Sequence, residues 1–454
     1  MYEPRKSSHT IVRTSPRSPS SLVRSTIILL GLWLPCVLFS QTAGKSASSA
    51  SVQHKQARRH TPAKKSEFAY FFNITGDFEK IDLGTGKEAS HGQVPVAAKL
   101  VQPFQSSGFS GCIVCGVRYD RRYGRFYLVL AKHLDDAESG GDNFEIVSVA
   151  PPRMYTAMRA DVSFAAPIIL INPDGSRVLA SYQLNPNATS AGQLEYGLSI
   201  FNAPALKLIR ADKESISADA FANGSIIKSQ FSDQAYFGED GSIYDQFARS
   251  TLANDQVSKV AIDPVKVLVK SGRKELAPFA LVDINTKVQT FEVSYVDSAA
   301  GKTLVALNAS GKGPRALLVI DLKKQTFSAP VKVSEVVIPA THLTPDGLQI
   351  LIEKSELRNR EGAKPDEPQD ALFKTGKLIL YDVSGSKKVR EVSSPAISGF
   401  NSRLACTSAD AKTAFFAHED HLFAIDLLKG KTLEIATEPQ FVFDKWTRCV
   451  MADR

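Results

Sequence analysis

The sequence has little of what would build a helical protein. No long stretch carries apolar residues at the i, i+3, i+4, i+7 spacing of an amphipathic helix. Cysteine is scarce, five in 454 residues, which is too few for a small disulfide-built scaffold. There is no G-x-S-x-G, no phosphate-binding loop and no dinucleotide fingerprint, so the common hydrolase, nucleotide and dinucleotide signatures are absent. A uniform charge is missing too. The net charge of +8 is local: residues 1–65 hold eleven Lys/Arg and one acid, leaving 44 basic against 46 acidic side chains in residues 66–454. The larger part of the chain has no basic excess, and nucleic acid is not an expected partner.

What is present begins with a targeting pattern. Arg5, Lys6, Arg13, Arg17 and Arg24 precede an apolar stretch from Ile27 to Phe39, followed by small and polar residues from Ser40 to Gly44. Thirteen residues is the length of a signal-peptide core and is short for a membrane span. Residues 1–43 are therefore read as a signal peptide, with cleavage near residues 39–45. The rival reading is an uncleaved N-terminal membrane anchor, because Ser25–Ala43 carries no charge. A lipoprotein is disfavoured, since Cys36 lies inside the apolar core with Pro35 before it. Residues 44–65 are rich in Ser, Ala, Lys and Arg with almost no large apolar side chain, and read as a disordered basic linker.

From residue 66 one pattern recurs. An apolar strand leads through a tight turn to a second apolar strand. A third strand then ends in Asp or a substitute, and a polar turn leads to a fourth. The third-strand ends read Ile81-Asp82, Val147-Ser148, Phe201-Asn202, Ile262-Asp263, Ile320-Asp321, Tyr381-Asp382 and Ile425-Asp426, spaced by 44–66 residues. Each is preceded by a hairpin signal, among them Asn172-Pro173-Asp174-Gly175, Asp240-Gly241 and Thr344-Pro345-Asp346-Gly347. Asp-Gly between apolar runs marks a tight hairpin because such turns demand positive φ. Four strands repeated at this period imply an all-β fold, a β-propeller of four-stranded antiparallel blades. Seven blades are counted, with six or eight as the alternative. Glu67–Phe72 opens blade one without an inner strand before it. Cys449-Val450-Met451-Ala452-Asp453 repeats the Cys-x-x-Ala-Asp of 406–410, so residues 445–453 are expected to close the ring as the missing strand.

The x-Pro-Asp-Gly turns at 172–175 and 344–347 resemble those of exported propellers of the TolB-like and YncE-like (WD40-like) type. The resemblance spans roughly 66–454. It implies a rigid scaffold and a location outside the cytoplasm, periplasmic or extracellular. It does not imply a chemistry, because one fold hosts many functions.

After export four cysteines remain: Cys112, Cys115, Cys406 and Cys449. An even count permits two disulfides, and Cys449 has Cys406, Cys112 and Cys115 as candidate partners. Cys112-x-x-Cys115 has redox or zinc spacing. It lies in an apparent inner strand, where residues i and i+3 point to opposite faces, and no second pair completes a zinc site. Structural cysteines are the expectation. His418-Glu419-Asp420-His421 reads as a solvated turn. Two tryptophans are too few for a tryptophan-docked quinone propeller. Sequons occur at Asn73, Asn187, Asn223 and Asn308.

Long connections between second and third strands fall in blade two (about 132–143), blade three (about 184–194) and blade six (about 353–377). All emerge on one face, where loops on a rigid scaffold carry recognition. The candidate binding residues are Asp135, Asp136, Glu138 and Asp142 in blade two, and Arg358, Arg360, Asp366 and Glu367 in blade six. The blade-two acids are of the type that holds calcium, but they lack the ordered D-x-D-x-D-G spacing. No cofactor is predicted, with calcium as the alternative. The expected function is a binding module for an unidentified protein or envelope ligand, touching membrane only through an uncleaved N-terminus. The alternative is a propeller hydrolase or lactonase with a metal at the central channel.

Overall fold

Seven buried apolar clusters among the described residues each join two neighbouring blades, and together they close a ring. The period-two alternation of a strand explains how. In blade two, Phe126, Leu128 and Leu130 pack on blade one, whereas Tyr127, Val129 and Ala131 pack on blade three. In blade five, Val305 and Leu307 face blade four while Leu304 and Ala306 face blade six. Strands buried on both faces need apolar residues at every position, which is why the second strands read as continuous apolar runs. Each fully buried large side chain contributes about 1.5–3 kcal/mol.

The computed structural model describes residues 67–453 except 84, 95–96, 98–112, 121, 132–142, 151–152, 164–166, 185–192, 218–219, 221–226, 284, 287–288, 309–314, 334–339, 360–369, 385–386, 409, 419–420 and 436–447. The fold is all-β, with seven antiparallel sheets arranged as a seven-bladed propeller. Blade one takes Arg448–Asp453 as its first strand, then Glu67–Phe72, Asp77–Asp82 and Lys87–Gln93. Blade two runs Val114–Asp120, Arg125–Ala131, Asn143–Ala150 and Arg153–Ser163. Blade three runs Ile168–Ile171, Arg177–Gln183, Gln193–Asn202 and Lys207–Ser217. Blade four comprises Tyr236–Phe237, Ser242–Asp245, Ala248–Ala253 and Gln256–Ala261. In blade five, Glu292–Ala299, Lys302–Asn308 and Arg315–Asp321 are followed by two short pieces, Thr326–Phe327 and Val331–Val333, on the same edge. Blade six has Thr341–Leu343, Gln349–Asn359, Asp370–Asp382 and Lys388–Gly399. Blade seven has Arg403–Thr407, Thr413–His418, His421–Asp426 and Thr432–Ile435. First strands of neighbouring blades lie side by side from seven through one, two and three to four, and from five to six.

The ring closes as the repeat predicts. Arg448–Asp453 pairs antiparallel with Glu67–Phe72, setting Cys449 opposite Phe71. In blade seven Cys406 stands opposite Phe415. The two phenylalanines meet edge to face across the blade interface at 6.0 Å. Cys406 and Cys449 form a disulfide with their Cα atoms 6.0 Å apart, so the internal sequence match marks two equivalent inner strands that are also covalently joined.

Blade four corrects one assignment. Ile262-Asp263 is not a third-strand end: the third strand is Ala248–Ala253, and the fourth ends at Ala261. Asp263 instead caps the helix Pro264–Ser271, accepting a hydrogen bond from the Lys266 N–H, with Pro264 in the first turn. An Asp-Pro pair opens a helix as readily as it ends a strand. Helix residue Leu268 and residues Leu276 and Phe279 of a following 3-10 turn bury themselves between blades four and five.

Candidate functional site

An up-and-down blade sends its connections alternately to the two ends of the ring. At one end lie the turns between first and second strands and between third and fourth strands. These are tight. In blade six, Thr344 accepts the Gly347 N–H at 2.7 Å, and the Asp346 carboxylate accepts the Leu348 N–H at 2.9 Å. In blade seven the same turn places Ala411 at the glycine position with φ 54°, and the Asp410 carboxylate accepts the Lys412 N–H at 3.2 Å. The side-chain-bonded Asp fixes the turn even where glycine is lost.

The other end carries the connections from second to third strand and from each blade to the next. Of the residues predicted to bind there, Asp135, Asp136, Glu138, Asp142, Arg360, Asp366 and Glu367 lie outside the described residues. Arg358 is described, and its surroundings differ from a loop. The described residues of 353–377 are strand: Ser355 to Asn359 pair with Lys374 to Asp370, after a bulge at Lys354/Ser355. The fourth strand of the blade pairs no further than Lys374, opposite Gly399, and the first strand no further than Ile352. Beyond these points blade six continues, among the described residues, as a two-stranded ribbon. In the pairing of Ser-Glu-Leu-Arg-Asn against Asp-Ala-Leu-Phe-Lys, Leu357 stands opposite Leu372 between Ala371 and Phe373, and the segment is strand despite its charge. Arg358 lies over the Phe373 ring at 3.9 Å and pairs with Glu356, and Phe373 meets Phe400 edge to face at 5.2 Å.

A charged array sits at the ribbon's base. The buried Glu353 carboxylate accepts from Lys374 Nζ at 2.9 Å and bonds His342 Nε2 at 3.2 Å. His342 belongs to the inner strand of blade six. On the inner strand of blade five, Asp297 accepts the Leu343 N–H at 2.8 Å and the Ser298 N–H at 2.8 Å, tying two blades together. Burial opposes ionisation of Glu353, but the hydrogen bonds and charges of His342 and Lys374 outweigh it and hold its carboxyl below the usual range. Burial pushes the Asp297 carboxyl up, opposed by the Leu343 N–H and by His342. Nothing in the sequence marked this array. Glu353 and Lys374 are twenty-one residues apart and meet only through the register of a hairpin read as a loop. Arg118, on the inner strand of blade two, donates to the Asp233 carbonyl at 3.0 Å. Among the described residues no group of three or more His, Cys, Asp or Glu has metal-binding geometry.

The cysteines and histidines divide. Cys115 is disulfide-bonded and occupies a bulge between Val114 and Gly116, where strand alternation is interrupted; Cys112 lies outside the described residues. His421 is exposed and bonds Glu434 at 2.8 Å. His418 is half-buried, packed against Gly399, with Nδ1 unpartnered, so only half of that pair is a solvated turn. The Asn73 sequon is used internally. Asn73 is buried, its amide donates to Asp77 at 2.9 Å, and its carbonyl accepts the N–H groups of Thr75 and Asp77.

No protein-family profile matches the chain, and no curated protein matches it. Among solved structures, apo AztD from Citrobacter koseri is similar at 10% identity over 86% of this chain and 99% of its own, with a TM-score of 0.41. The β-propeller domain of Cps50 (Swd1) from Myceliophteria thermophila is similar at 12% identity over 72% and 87%, with a TM-score of 0.38. Hydrazine synthase from Kuenenia stuttgartiensis aligns at 10% identity over 71% and 80%, also at 0.38. The propeller assignment stands on the strand pairing itself.

Proposed function

We propose that the chain is an exported propeller of the TolB-like or YncE-like kind, acting outside the cytoplasm as a protein-binding module. On this reading residues 1–43 are removed as a signal peptide, 44–65 serve as a linker and 66–454 form the propeller. The observation that carries the binding role is the asymmetry of the two ends. One end is closed by tight turns. The other holds the long connections and the blade-six ribbon with its exposed Leu357, Glu356 and Arg358. Connecting segments displayed by a rigid scaffold are the usual place for recognition. The Cys406–Cys449 disulfide supports an oxidising compartment.

Two experiments test this. Crosslinking in the native host, comparing wild type with a chain whose ribbon is replaced by a short turn, should lose specific partners in the variant. Unchanged partners would remove the ribbon from the recognition surface. N-terminal sequencing of the protein from its host should find a start near residues 39–45, and an intact Met1 in a membrane fraction would replace export with anchoring.

A further inference from the structure

Among the described residues, the blade-six ribbon leaves strand edges open. Past Ile352 the edge of Gln349–Asn359 that faces the first strand has no strand partner among the described residues. Past Lys374 the edge of Asp370–Asp382 that faces the fourth strand has none either. An open edge is a template for a further strand, and proteins blunt such edges or pair them. The two edges are not equivalent in sequence. Ser355-Glu356-Leu357-Arg358-Asn359 is a charge palindrome. Laid antiparallel against a copy of itself about Leu357, it sets Glu356 opposite Arg358 twice, Leu357 opposite Leu357, and Ser355 opposite Asn359. The match ends at the bulge on one side and at the strand's end on the other. The edge of Asp370–Phe373 has no such match, since it offers one acid and no base.

Side-chain placement agrees. Glu356 is opposite Phe373 and Leu357 opposite Leu372 in the ribbon's own register, so the charged pair and the leucines project to opposite faces. Residues directly opposite across a new antiparallel pair point to one side. Two Glu–Arg pairs would then line one face of the joined sheet and the leucines the other. Leu357 is 74% exposed, the most exposed of the large apolar side chains described.

We infer that two copies of this chain associate through an isologous, antiparallel pairing of Ser355–Asn359, extending the blade-six ribbons into one four-stranded sheet across a two-fold axis. This names one partner for the recognition face and rests on that reading. Five residues of edge form a small contact, so the dimer is a weak, concentration-dependent one.

Charge reversal tests it on the full mature chain by sedimentation velocity over a concentration series. Wild type should shift from monomer to dimer as concentration rises. Glu356→Arg alone, and Arg358→Glu alone, should each stay monomeric, because like charges then face each other. Mixing the two single variants should restore association as a heterodimer, and the chain carrying both reversals should associate as wild type does. The mixing rescue separates edge pairing from misfolding. A wild type that stays monomeric throughout, single variants that dimerise, or a mixture that does not associate would each overturn the inference. If the wild type stays monomeric yet still crosslinks to another protein through this face, the recognition reading survives while the dimer falls.

Discussion

The seam between blades seven and one and the ribbon of blade six are the two places where this propeller departs from its own repeat, and they depart in opposite directions. At the seam a strand from the far end of the sequence is drawn into the core. Its cysteine is bonded to the equivalent strand of blade seven, and its partner Phe71 is wholly buried. In blade six, two strands run beyond their neighbours and leave the core, carrying charge and an exposed leucine. The seam satisfies an obligation of the fold, since a ring with an unpaired inner edge would expose a template for aggregation. The ribbon satisfies no such obligation. A projection that the fold does not need is better explained by what it meets outside.

If that contrast is right, perturbing the seam should be far costlier than perturbing the ribbon. The largest effect is expected from deleting Arg448–Asp453. The deletion removes every backbone bond along one edge of Glu67–Phe72 and uncovers the apolar cluster of Ala69, Phe71 and Phe415. Expression of the truncated chain should give insoluble protein, or a soluble form melting far below wild type. A truncated chain with an unaltered melting curve would show that the ring does not depend on this strand. Next in size is the disulfide. Cys406→Ser with Cys449→Ser releases a crosslink spanning 43 residues, which is worth about 2–4 kcal/mol on the chain-entropy account. Denaturant unfolding without reductant should show the double variant less stable than wild type by this amount, and reductant, which also opens the disulfide of Cys115, should bring the two proteins to the same stability.

The seam was legible in the sequence because both of its strands carry the same five-residue pattern and the same apolar partners. The blade count was legible for a similar reason: several tight turns are written locally, as Asp174-Gly175, Asp240-Gly241 and Asp346-Gly347 are. What the sequence hid is what register decides. Ile262-Asp263 fits the third-strand pattern, but Pro264 uses that aspartate as a helix cap. The stretch 353–377 is rich in charge and reads as a loop, yet Ser355 to Asn359 pair with Lys374 to Asp370. The array of His342, Glu353, Lys374 and Asp297 draws on four strands in two blades, and no spacing rule brings such residues together before the fold does.

The ribbon's base should behave as core, not as projection, which sharpens the boundary between the two regions. Glu353→Gln leaves the Lys374 ammonium buried without its carboxylate, a loss of about 3–5 kcal/mol at neutral pH by the measure of broken buried pairs. The pH dependence has a definite sign. The Glu353 carboxyl is held below its usual range in the folded chain, so its stabilisation is present above the unfolded carboxylate value and is lost as pH falls through the folded one. The gap between wild type and variant should therefore close on acidification. Asp297 acts oppositely. Burial raises its carboxyl, so its charge costs stability at neutral pH and acid relieves that cost. Melting curves of both proteins from neutral to acid pH measure the gap, and a gap that widens as pH falls would reverse the assignment.

The smallest effect on stability should come from the ribbon itself. Replacing Leu357–Leu372 with a short Gly-Ser turn keeps Glu353, Ser355 and Lys374, and so keeps the array at the base. What is lost is the stack of Arg358 on Phe373, the exposed Glu356 pair and the outward Leu357. An exposed ion pair contributes about 0–1 kcal/mol and an exposed cation–π contact about 0.5–1 kcal/mol. Shortening the connection returns a fraction of that, since halving a loop saves about 0.6 kcal/mol of closure entropy. The sum is close to zero, and the melting temperature of the shortened chain should stay near that of wild type. Phe373 keeps its position next to Phe400, so the blade below should not open. Self-association and partner crosslinking should both fall in the same protein. A large drop in melting temperature would instead place the ribbon within the packed structure of blade six, and the contrast with the seam would then be one of degree.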